Sequence, residues 1–433
     1  MLRTIDLRGR SFTPAELLAV VPRAQAARDD AVDVAAGIVH DVAARGEAAL
    51  REQAERFDRV SGHDILVPRA HLTEALAALD ARVRAALEEA IRRVREASAA
   101  QVPEQRTTRL ASGGLVTQRW QPVRRAGVYV PGGKAVYPSS VVMNVVPAQT
   151  AGVEHVALAS PPQAEFGGRV HPDILAAAAL LGVTEVYAMG GAGAIGALAH
   201  GVTGIGLDPV DVVTGPGNNF VAAAKRAVAG TVGTDAEAGA TEILIVADAA
   251  ADPVLVAVDL ISQAEHDEQA SAVLVTDSAD LAERVRAEVA DRVGRTRNRA
   301  RAEAALAGEQ SAVVLVDDLV AATAFSNAYA PEHLELHVAD PRPDDFVNAG
   351  AVFVGAYTPV SLGDYLAGSN HVLPTGGQAR YAAGLSAATF LRPQQVIAYD
   401  SEALGEVADH IVALADAEAL PAHGEAVTAR FAR

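Results

Sequence analysis

The segment AGVYVPGGKAVYPSSVVMNVVPAQTAGVEHVALAS (126–160) decides the fold class of this chain. It starts with a β-rich run (126–130), turns at Pro131-Gly132-Gly133, continues into a helical stretch (140–151) and ends in a second apolar run (155–160). Strands that alternate with crossover helices are typical of parallel sheets, because parallel neighbours need a long connection between them. The segment therefore predicts a parallel α/β fold.

The same alternation continues along the chain after this segment. Further strands are predicted at 184–189, 210–215, 242–248, 271–277, 311–318, 334–338 and 351–355, with helical patterns between most of them. The part before about residue 110 instead shows mostly helical periodicity, which is clearest over 31–56 and 75–99. The pattern predicts two doubly wound α/β domains, followed after about residue 390 by a partly helical tail too small to fold alone.

Composition excludes several classes of protein. The 433 residues include 36 Lys+Arg and 54 Asp+Glu, a net charge of −18 that argues against nucleic-acid binding and against docking on anionic membranes. There is no cysteine, which excludes disulfides, thiolate metal sites and a cysteine nucleophile. A cysteine-free acidic chain without a long apolar run is predicted to be cytoplasmic.

Three glycine-rich turns each follow a predicted strand, at 131–133, 190–193 and 215–218. Ligands of open α/β sheets bind at the carboxyl ends of the strands, where glycine permits close approach and helix N-termini offer N–H groups to phosphates. None of the turns has the usual dinucleotide spacing. They predict a nucleotide site of another kind. The chain has two lysines, Lys134 and Lys225, which follow the first and third turns. Two explanations of these positions stay open: the lysines bind phosphate, or they lie near the turns by chance.

Three groups of polar residues interrupt the apolar pattern. The first is Gln263 with His266, at the end of a predicted helix, and the second is Asp364 with Asn370 and His371, in a loop that contains glycines. The third is Glu332 with His333, just before a predicted strand. Gln263 and His266 share one helix face. A carboxylate with imidazoles suits zinc or manganese. A Glu-His pair provides a general base beside a carboxylate that activates water. For each group taken alone, the alternative to a functional site is an ordinary polar surface exposed to solvent.

Together these segments resemble the histidinol dehydrogenase family over essentially the whole chain. The resemblance rests on the order and spacing of GVYVPGG (127–133), SSVVMNVVPAQTAGV (139–153), DLISQAEHDE (259–268), YAPEHLEL (329–336), PVSLGDYLAGSNHVLPT (359–375), GLSAATFLR (384–392) and PAHGEAV (421–427). It implies a homodimer of chains with two incomplete Rossmann-like domains and small terminal segments that form a dimer-swapped tail.

The implied domain boundaries follow from the same resemblance. The expected segments are an N-terminal part (1–26) that packs with the tail, a discontinuous first domain (27–127 and 240–386) with the metal and catalytic residues, a second domain on the NAD side (128–239), and a tail (387–433) that reaches the partner subunit.

The resemblance also implies an activity, the last steps of histidine biosynthesis: the oxidation of L-histidinol through L-histidinal to L-histidine, with two NAD and one zinc ion per subunit, or manganese instead. The expected zinc ligands, which also lie against the substrate, are Gln263, His266, Asp364 and His423 of the partner subunit. Glu332 and His333 are the expected acid–base pair. The expected contacts are Thr241, His333, His371 and Glu418 for substrate, and Tyr129, Gly193 and Asn218 for NAD.

This chain departs from the family pattern at two turns. Gly193 stands where the family has a glutamine that contacts NAD, and Ala238-Gly239-Ala240 replaces Ala-Gly-Pro before Thr241. Lys134 occupies a variable position, whereas Lys225 falls in a recurring Ala-Lys pair.

Two other functions stay open. One is an NAD-dependent dehydrogenase of another polar amino or hydroxy alcohol, and the other is a catalytically silent nucleotide-binding paralogue, which Gly193 suggests. Because the chain has no thiol, oxidation of an aldehyde is expected to pass through a hydrate formed by Glu332, His333 and water rather than through a thiohemiacetal.

Overall fold

The computed structural model describes residues 2–23, 29–132, 136–236 and 239–432. Predictions that concern Gly133, Lys134 and Ala238 therefore lie outside the described residues. The chain divides into two compact units, one formed by 1–101 with 124–390 and the other by 102–123 with 391–433.

Within the described residues the strands are β1 (Arg3–Asp6), β2 (Arg106–Ala111), β3 (Gly114–Pro122), β4 (Arg125–Tyr129), β5 (His155–Ser160), β6 (Glu185–Ala188), β7 (Val212–Thr214), β8 (Gly233–Thr234), β9 (Glu242–Ala247), β10 (Ser271–Thr276), β11 (Ala312–Leu315), β12 (His333–His337), β13 (Ala351–Val354) and β14 (Leu391–Tyr399). The α-helices are α1 (Pro14–Val20), α2 (Asp29–Arg45), α3 (Glu47–Gln53), α4 (Arg69–Ala78), α5 (Ala81–Ala100), α6 (Pro138–Ala151), α7 (Pro172–Leu180), α8 (Gly191–His200), α9 (Asn219–Val228), α10 (Pro253–Ala264), α11 (Ala279–Arg292), α12 (Arg299–Ala307), α13 (Leu319–Tyr329), α14 (Val360–Tyr365), α15 (Ser401–Gly405), α16 (Ala408–Ala417) and α17 (Pro421–Thr428).

The larger sheet of the first unit has the order β1-β11-β10-β9-β12-β13, and all its neighbouring strands are parallel. One of its faces is covered by α10, α11 and α12, and the other by α1 and α13. Because both faces are covered, the central strand Glu242–Ala247 is buried at every position and is almost continuously apolar. The predicted α/β class with parallel sheets is confirmed.

The prediction that the first part of the chain is mostly helical is confirmed by α1 to α5, and the edge strand β1 is an addition to it. Arg3–Asp6 is a short, largely exposed strand that pairs in parallel with β11, with Arg3 opposite Ala312. Four residues without an apolar alternation carry little strand signal. They adopt the strand because a distant part of the chain provides their hydrogen-bond partners.

The smaller sheet of the first unit has the order β6-β5-β4-β7-β8 and is also parallel. The helices α2, α8 and α9 share a hydrophobic core on one of its faces. The connections α6 and α7 follow β4 and β5 and pack against α5 and α4. The strands and helices predicted between 126 and 230 are confirmed, with ends that differ by a few residues.

The second unit is an antiparallel sheet followed by helices. The strand β14 pairs with β3 along its whole length, and β3 also pairs with β2. The helices α15, α16 and α17 follow, which confirms a partly helical tail, whereas β2, β3 and β14 were not predicted. The domain boundaries expected from the resemblance stay a prediction. None of the helices in the described part of the chain is long and apolar enough to cross a membrane.

Candidate functional site

Three predicted catalytic or substrate residues lie side by side at one edge of the larger sheet. Thr241 directly precedes β9, Glu332 directly precedes β12, and His333 is the first residue of β12. The two strands are neighbours, with His333 opposite Ile243. In a parallel sheet, residues at the starts of adjacent strands meet at the amino edge. The structure therefore brings this predicted group together.

The helix α10 adds two more predicted residues to this edge. It follows β9 and returns along the sheet, so that its C-terminal end lies near the strand starts. Gln263 is in its last turn and is buried, and His266 follows two residues after the helix ends. The side-chain nitrogen of Gln263 donates a hydrogen bond to Thr241 Oγ1 at 2.5 Å, which ties α10 to the catalytic edge.

One oxygen of Glu332 is held by two donors. Its Oε2 accepts from Thr241 Oγ1 at 2.6 Å and from the backbone N–H of Glu242 at 2.8 Å. Its other oxygen has no hydrogen-bond donor among the described residues. This arrangement orients the carboxylate and leaves Oε1 free to accept a proton.

The ring of His333 has one defined tautomer in this environment. Its Nδ1 lies 3.0 Å from the backbone oxygen of Glu242. A carbonyl oxygen only accepts, so Nδ1 carries the proton and Nε2 of the neutral ring is the basic atom. Phe353 lies against the ring, with 6.0 Å between the ring centroids. His333 is thereby fixed as a proton acceptor.

Burial makes the catalytic carboxyl group a weaker acid. It raises the pKa of Glu332, while the nearby His333 and the hydrogen bonds from Thr241 and the Glu242 backbone oppose the rise. The neighbouring carboxyl of Glu242 is also buried, which raises its pKa to about 7 although Arg23 forms an ion pair with it. A carboxyl whose pKa is raised toward neutrality is a better proton acceptor when it is ionised.

His371 joins the catalytic edge to the smaller sheet. Its Nε2 lies 3.1 Å from Ser140 Oγ in α6, and its Nδ1 lies 2.9 Å from the backbone oxygen of Asp364 in α14. Burial lowers the pKa of His371, and the charges of Asp364, His333 and His266 act on it as well. The structure therefore gathers His266, His333, Asp364 and His371 around one place.

The side chains at this place are suited to bind a metal ion of intermediate hardness. Gln263 uses its amide nitrogen for Thr241, so its amide oxygen is free to bind an ion. His266 offers an imidazole and Asp364 a carboxylate, and both lie close enough to His371 to act on its pKa. Such an oxygen and nitrogen set suits zinc.

Two predicted residues belong to the second unit. Glu418 follows α16, and His423 is in the first turn of α17. Both side chains are exposed on that unit. Their predicted contacts with substrate and metal stay predictions.

A buried cluster of Asp259, Glu335 and His337 was not predicted. Its three ligand-type atoms all lie within 4.8 Å of one another. The sequence does contain a signal for it, because His333, Glu335 and His337 alternate along one strand and must share one face. Only the structure shows that Asp259 of α10 faces them.

The residues predicted on the NAD side lie at the carboxyl edge of the smaller sheet. Tyr129 ends β4, and its hydroxyl accepts a hydrogen bond from the N–H of Gly191 at the start of α8, at 3.1 Å. Burial raises the pKa of Tyr129 to about 12, so the phenol stays protonated. Asn218 caps α9, where its side-chain oxygen accepts from two backbone N–H groups. The side chain of Asn218 therefore holds the start of α9, directly after the third glycine turn.

Gly193 lies in the first turn of α8 and is buried. A Cβ added there would overlap the side-chain oxygen of Gln53 in α3. The space that a side chain at 193 would need is therefore already filled by an amide from another helix.

Lys225 holds the third glycine turn. Its ammonium donates to the backbone oxygen of Gly215 and to the Asp235 carboxylate, and its side chain is only 3% exposed. Asp235 in turn accepts from the Gly215 N–H at 2.8 Å. Of the two alternatives left open by the sequence, phosphate binding is therefore disfavoured, because the ammonium already has two partners within the chain.

The chain is similar to known proteins over nearly its whole length. The family model described as histidinol dehydrogenase matches residues 21–431. The histidinol dehydrogenase of Leifsonia xyli subsp. xyli is 64% identical, over 99% of this chain and 99% of the relative. The chain belongs to the histidinol dehydrogenase family.

Further members of the family agree with this assignment. The histidinol dehydrogenase of Thermobifida fusca is 58% identical, over 100% of this chain and 98% of the relative. The crystal structure of histidinol dehydrogenase from Elizabethkingia anophelis superposes with a TM-score of 0.92 at 31% identity, and covers 99% of this chain and 98% of that one. The resemblance found in the sequence is confirmed, and so is the class of enzyme, an oxidoreductase.

Proposed function

We propose that the chain oxidises L-histidinol to L-histidine through L-histidinal, with zinc and two NAD per turnover, in the last steps of histidine biosynthesis. Family membership supports this proposal. The observation that carries it is the buried Glu332–His333 pair, whose Oε1 and Nε2 are left free while every other polar atom of the pair is held. A pair prepared in this way can take two protons in succession.

In the first oxidation His333 is the base. Its Nε2 accepts the hydroxyl proton of the alcohol, and the Glu242 carbonyl at Nδ1 stabilises the imidazolium that forms. When bound, zinc would orient the amino alcohol, and NAD would accept the hydride. Because two electrons leave as hydride and one proton leaves to His333, the product of this step is the aldehyde.

In the second oxidation Glu332 activates water. Its Oε1 accepts a proton from the water that adds to the aldehyde carbon, and the resulting hydrate then loses its hydride. This route suits a chain without cysteine, which has no thiol to form a thiohemiacetal. Thr241 would contribute by holding the other oxygen of Glu332 in place and by facing the substrate.

We propose that the zinc ligands are Gln263, His266, Asp364 and His423 of the partner subunit, which makes the enzyme an obligate homodimer with shared sites. His371 would contact the substrate from the smaller-sheet side through Nε2, which would exchange Ser140 for a substrate group, while the Asp364 carbonyl at Nδ1 keeps the ring oriented. Glu418 would reach the partner's substrate in the same way as His423.

On the NAD side we propose contacts from Tyr129, Asn218 and the turn that includes Gly193. The amide of Gln53 occupies the space beside Gly193, so it is well placed to replace the family's glutamine side chain at this position. This substitution favours an active enzyme over a silent paralogue.

The decisive experiment is the stoichiometry of the reaction. Purified chain is incubated with zinc, NAD and L-histidinol, and NADH is counted per histidine formed. Two NADH per histidine is the expected result. Activity restricted to another alcohol would show that the substrate is wrong, and no activity on any alcohol would show a silent paralogue.

A variant separates the two oxidations. In Glu332→Gln the aldehyde should still form from the alcohol, while histidine formation from added L-histidinal should fall by orders of magnitude. The matched control is Glu96→Gln, a glutamate of α5 whose side chain is 77% exposed. Equal loss of both half-reactions in Glu332→Gln would contradict the assigned role.

The shared site is tested by mixing inactive subunits. Heterodimers of His423→Ala and Glu332→Ala chains contain one site in which both residues are intact, if the tail reaches the partner. Mixing should therefore restore up to half of the activity per heterodimer. No recovery on subunit exchange would contradict the shared site.

A further inference from the structure

Glu335 lies at the centre of a buried polar cluster that the mechanism above does not use. Its side chain is fully buried, in the middle of β12. The Nε2 of His337 lies 3.3 Å from Glu335 Oε2 and 3.9 Å from Asp259 Oδ2. A polar group with no access to water costs free energy unless its partners satisfy it, so a cluster of this kind calls for a structural reason.

The cluster joins three elements. Glu335 belongs to β12, the strand that starts with His333. Asp259 belongs to α10 and lies one turn before Gln263, on the same face of the helix. The other oxygen of Glu335, Oε1, accepts a hydrogen bond of 2.9 Å from the N–H of Val360, the first residue of α14.

Each of the three elements carries residues of the proposed site. The helix α10 leads to Gln263 and His266, and α14 carries Asp364 in its second turn. One carboxylate therefore holds the helix of two proposed zinc ligands and the helix of a third against the strand that bears His333.

The geometry of the cluster shows how it holds together. His337 lies between the two carboxylates, with its Nε2 3.3 Å from Glu335 Oε2 and 3.9 Å from Asp259 Oδ2. Burial and the nearby Glu335 carboxylate raise the pKa of Asp259 to about 7, while His337 opposes the rise. The cluster therefore links Asp259 of α10 to β12.

We infer that Glu335 is a positioning residue of the metal site, which holds α10 and α14 at the separation that lets Gln263, His266 and Asp364 bind one ion. The inference rests on the proposed function, because it takes these three residues as zinc ligands. Residues behind metal ligands typically contribute about 10–100-fold to metal affinity.

The same three side chains have the composition of a metal site, which is the competing explanation. The hydrogen bond from Val360 leaves Glu335 a single oxygen for an ion, which is a poor arrangement for a carboxylate that binds a metal. Zinc stoichiometry separates the two explanations: a positioning cluster adds no bound ion, whereas a second site adds one per chain.

The test uses full-length dimer freed of metal and measures zinc affinity by competition with a chelating dye. Glu335→Gln should weaken zinc binding by about 10–100-fold and leave the affinity for NAD unchanged. Asp259→Asn should keep near wild-type zinc affinity, since it keeps a polar side chain of the same size beside Glu335 and His337, while Asp259→Ala should weaken zinc binding. The control is Glu283→Gln, whose side chain is 72% exposed in α11.

The outcomes are distinct. Unchanged zinc affinity in both Glu335→Gln and Asp259→Ala would overturn the inference, and so would two zinc ions per wild-type chain that fall to one in Glu335→Gln. If Glu335→Gln does not fold, the zinc affinities of Asp259→Asn and Asp259→Ala provide the test, because both substitutions lie in α10 and leave Glu335 in place. A wild-type protein that binds no zinc would instead contradict the proposed function.

Discussion

The buried pair of Lys225 and Asp235 makes a quantitative prediction for the variant Lys225→Met. The side chains are 3% and 2% exposed, and Lys225 also donates to the backbone oxygen of Gly215. Methionine keeps most of the volume of lysine but removes the charge. Asp235 is then left buried without its cation, while it still accepts from the Gly215 N–H.

The cost is set by the buried carboxylate that remains. Breaking a buried ion pair by removing one partner typically costs about 3–5 kcal/mol of folding free energy. Burial already raises the pKa of Asp235, and Lys225 opposes the rise. Without Lys225 the folded-state pKa rises further above the unfolded value, so folding favours the protonated form. The loss of stability should therefore be larger at pH 8 than at pH 5.5, because a lower pH favours the protonated carboxyl.

The assay combines urea unfolding at the two pH values with hydrogen exchange of residues 211–235. Hydrogen exchange matters because a chain of 433 residues need not unfold in one step, and it reports the opening of this turn directly. The double variant Lys225→Met/Asp235→Asn is the control and should recover part of the stability. A Lys225→Met protein within about 1 kcal/mol of wild type at pH 8, or one without pH dependence, would refute the reasoning.

Three more predictions concern the site and its turns. Thr241→Val removes a hydrogen bond to the Glu332 carboxylate that is worth about 1.5–3 kcal/mol. The pKa of Glu332 should therefore rise, and the acid limb of the kcat/KM profile should move up by about one pH unit. Thr241→Ser should leave the limb in place, and an unmoved limb in Thr241→Val would contradict the role of Thr241 in stabilising the Glu332 carboxylate. Gly193→Gln should lower the thermal midpoint because the new side chain meets Gln53, and Gln53→Ala in the same chain should relieve the loss; equal midpoints would show that the space is open. Gly215→Ala places a Cβ against the backbone oxygen of Tyr129, at a position whose φ is 118°. The variant should therefore have a lower thermal midpoint and bind NAD more weakly in titrations. Unchanged NAD affinity would show that this turn does not position the cofactor.

Much of the fold follows from local pattern. Most strands of the two parallel sheets are apolar runs between glycine turns and helices, and the segment from 126 to 160 already shows this order. Such strands are recognisable because burial on both faces favours apolar residues along the whole strand. The edge strand β1 and the antiparallel strands β2 and β14 lack this signal, since they are largely exposed and depend on partners far along the chain.

The proposed site residues could be named from the sequence, some by chemical type and spacing and others, such as Thr241, only from the family resemblance, but their arrangement could not. Thr241 and Glu332 are 91 residues apart and meet only because β9 and β12 are neighbours in the sheet. The prediction of a ligand crevice at the carboxyl ends of the strands applies to the smaller sheet, where Tyr129 lies. The Glu332–His333 pair instead occupies the amino edge of the larger sheet.

The sequence by itself determined the α/β class, the family and the absence of thiol chemistry, because each depends on residue types and on short-range order. Only the tertiary structure decided which atoms are occupied and which are free. It showed that Lys225 is bound to Asp235, that Glu335 joins α10 and α14, and that Glu332 keeps one free oxygen. The physical reason is that a hydrogen bond or ion pair depends on distances of a few ångströms, which chain separation does not reveal.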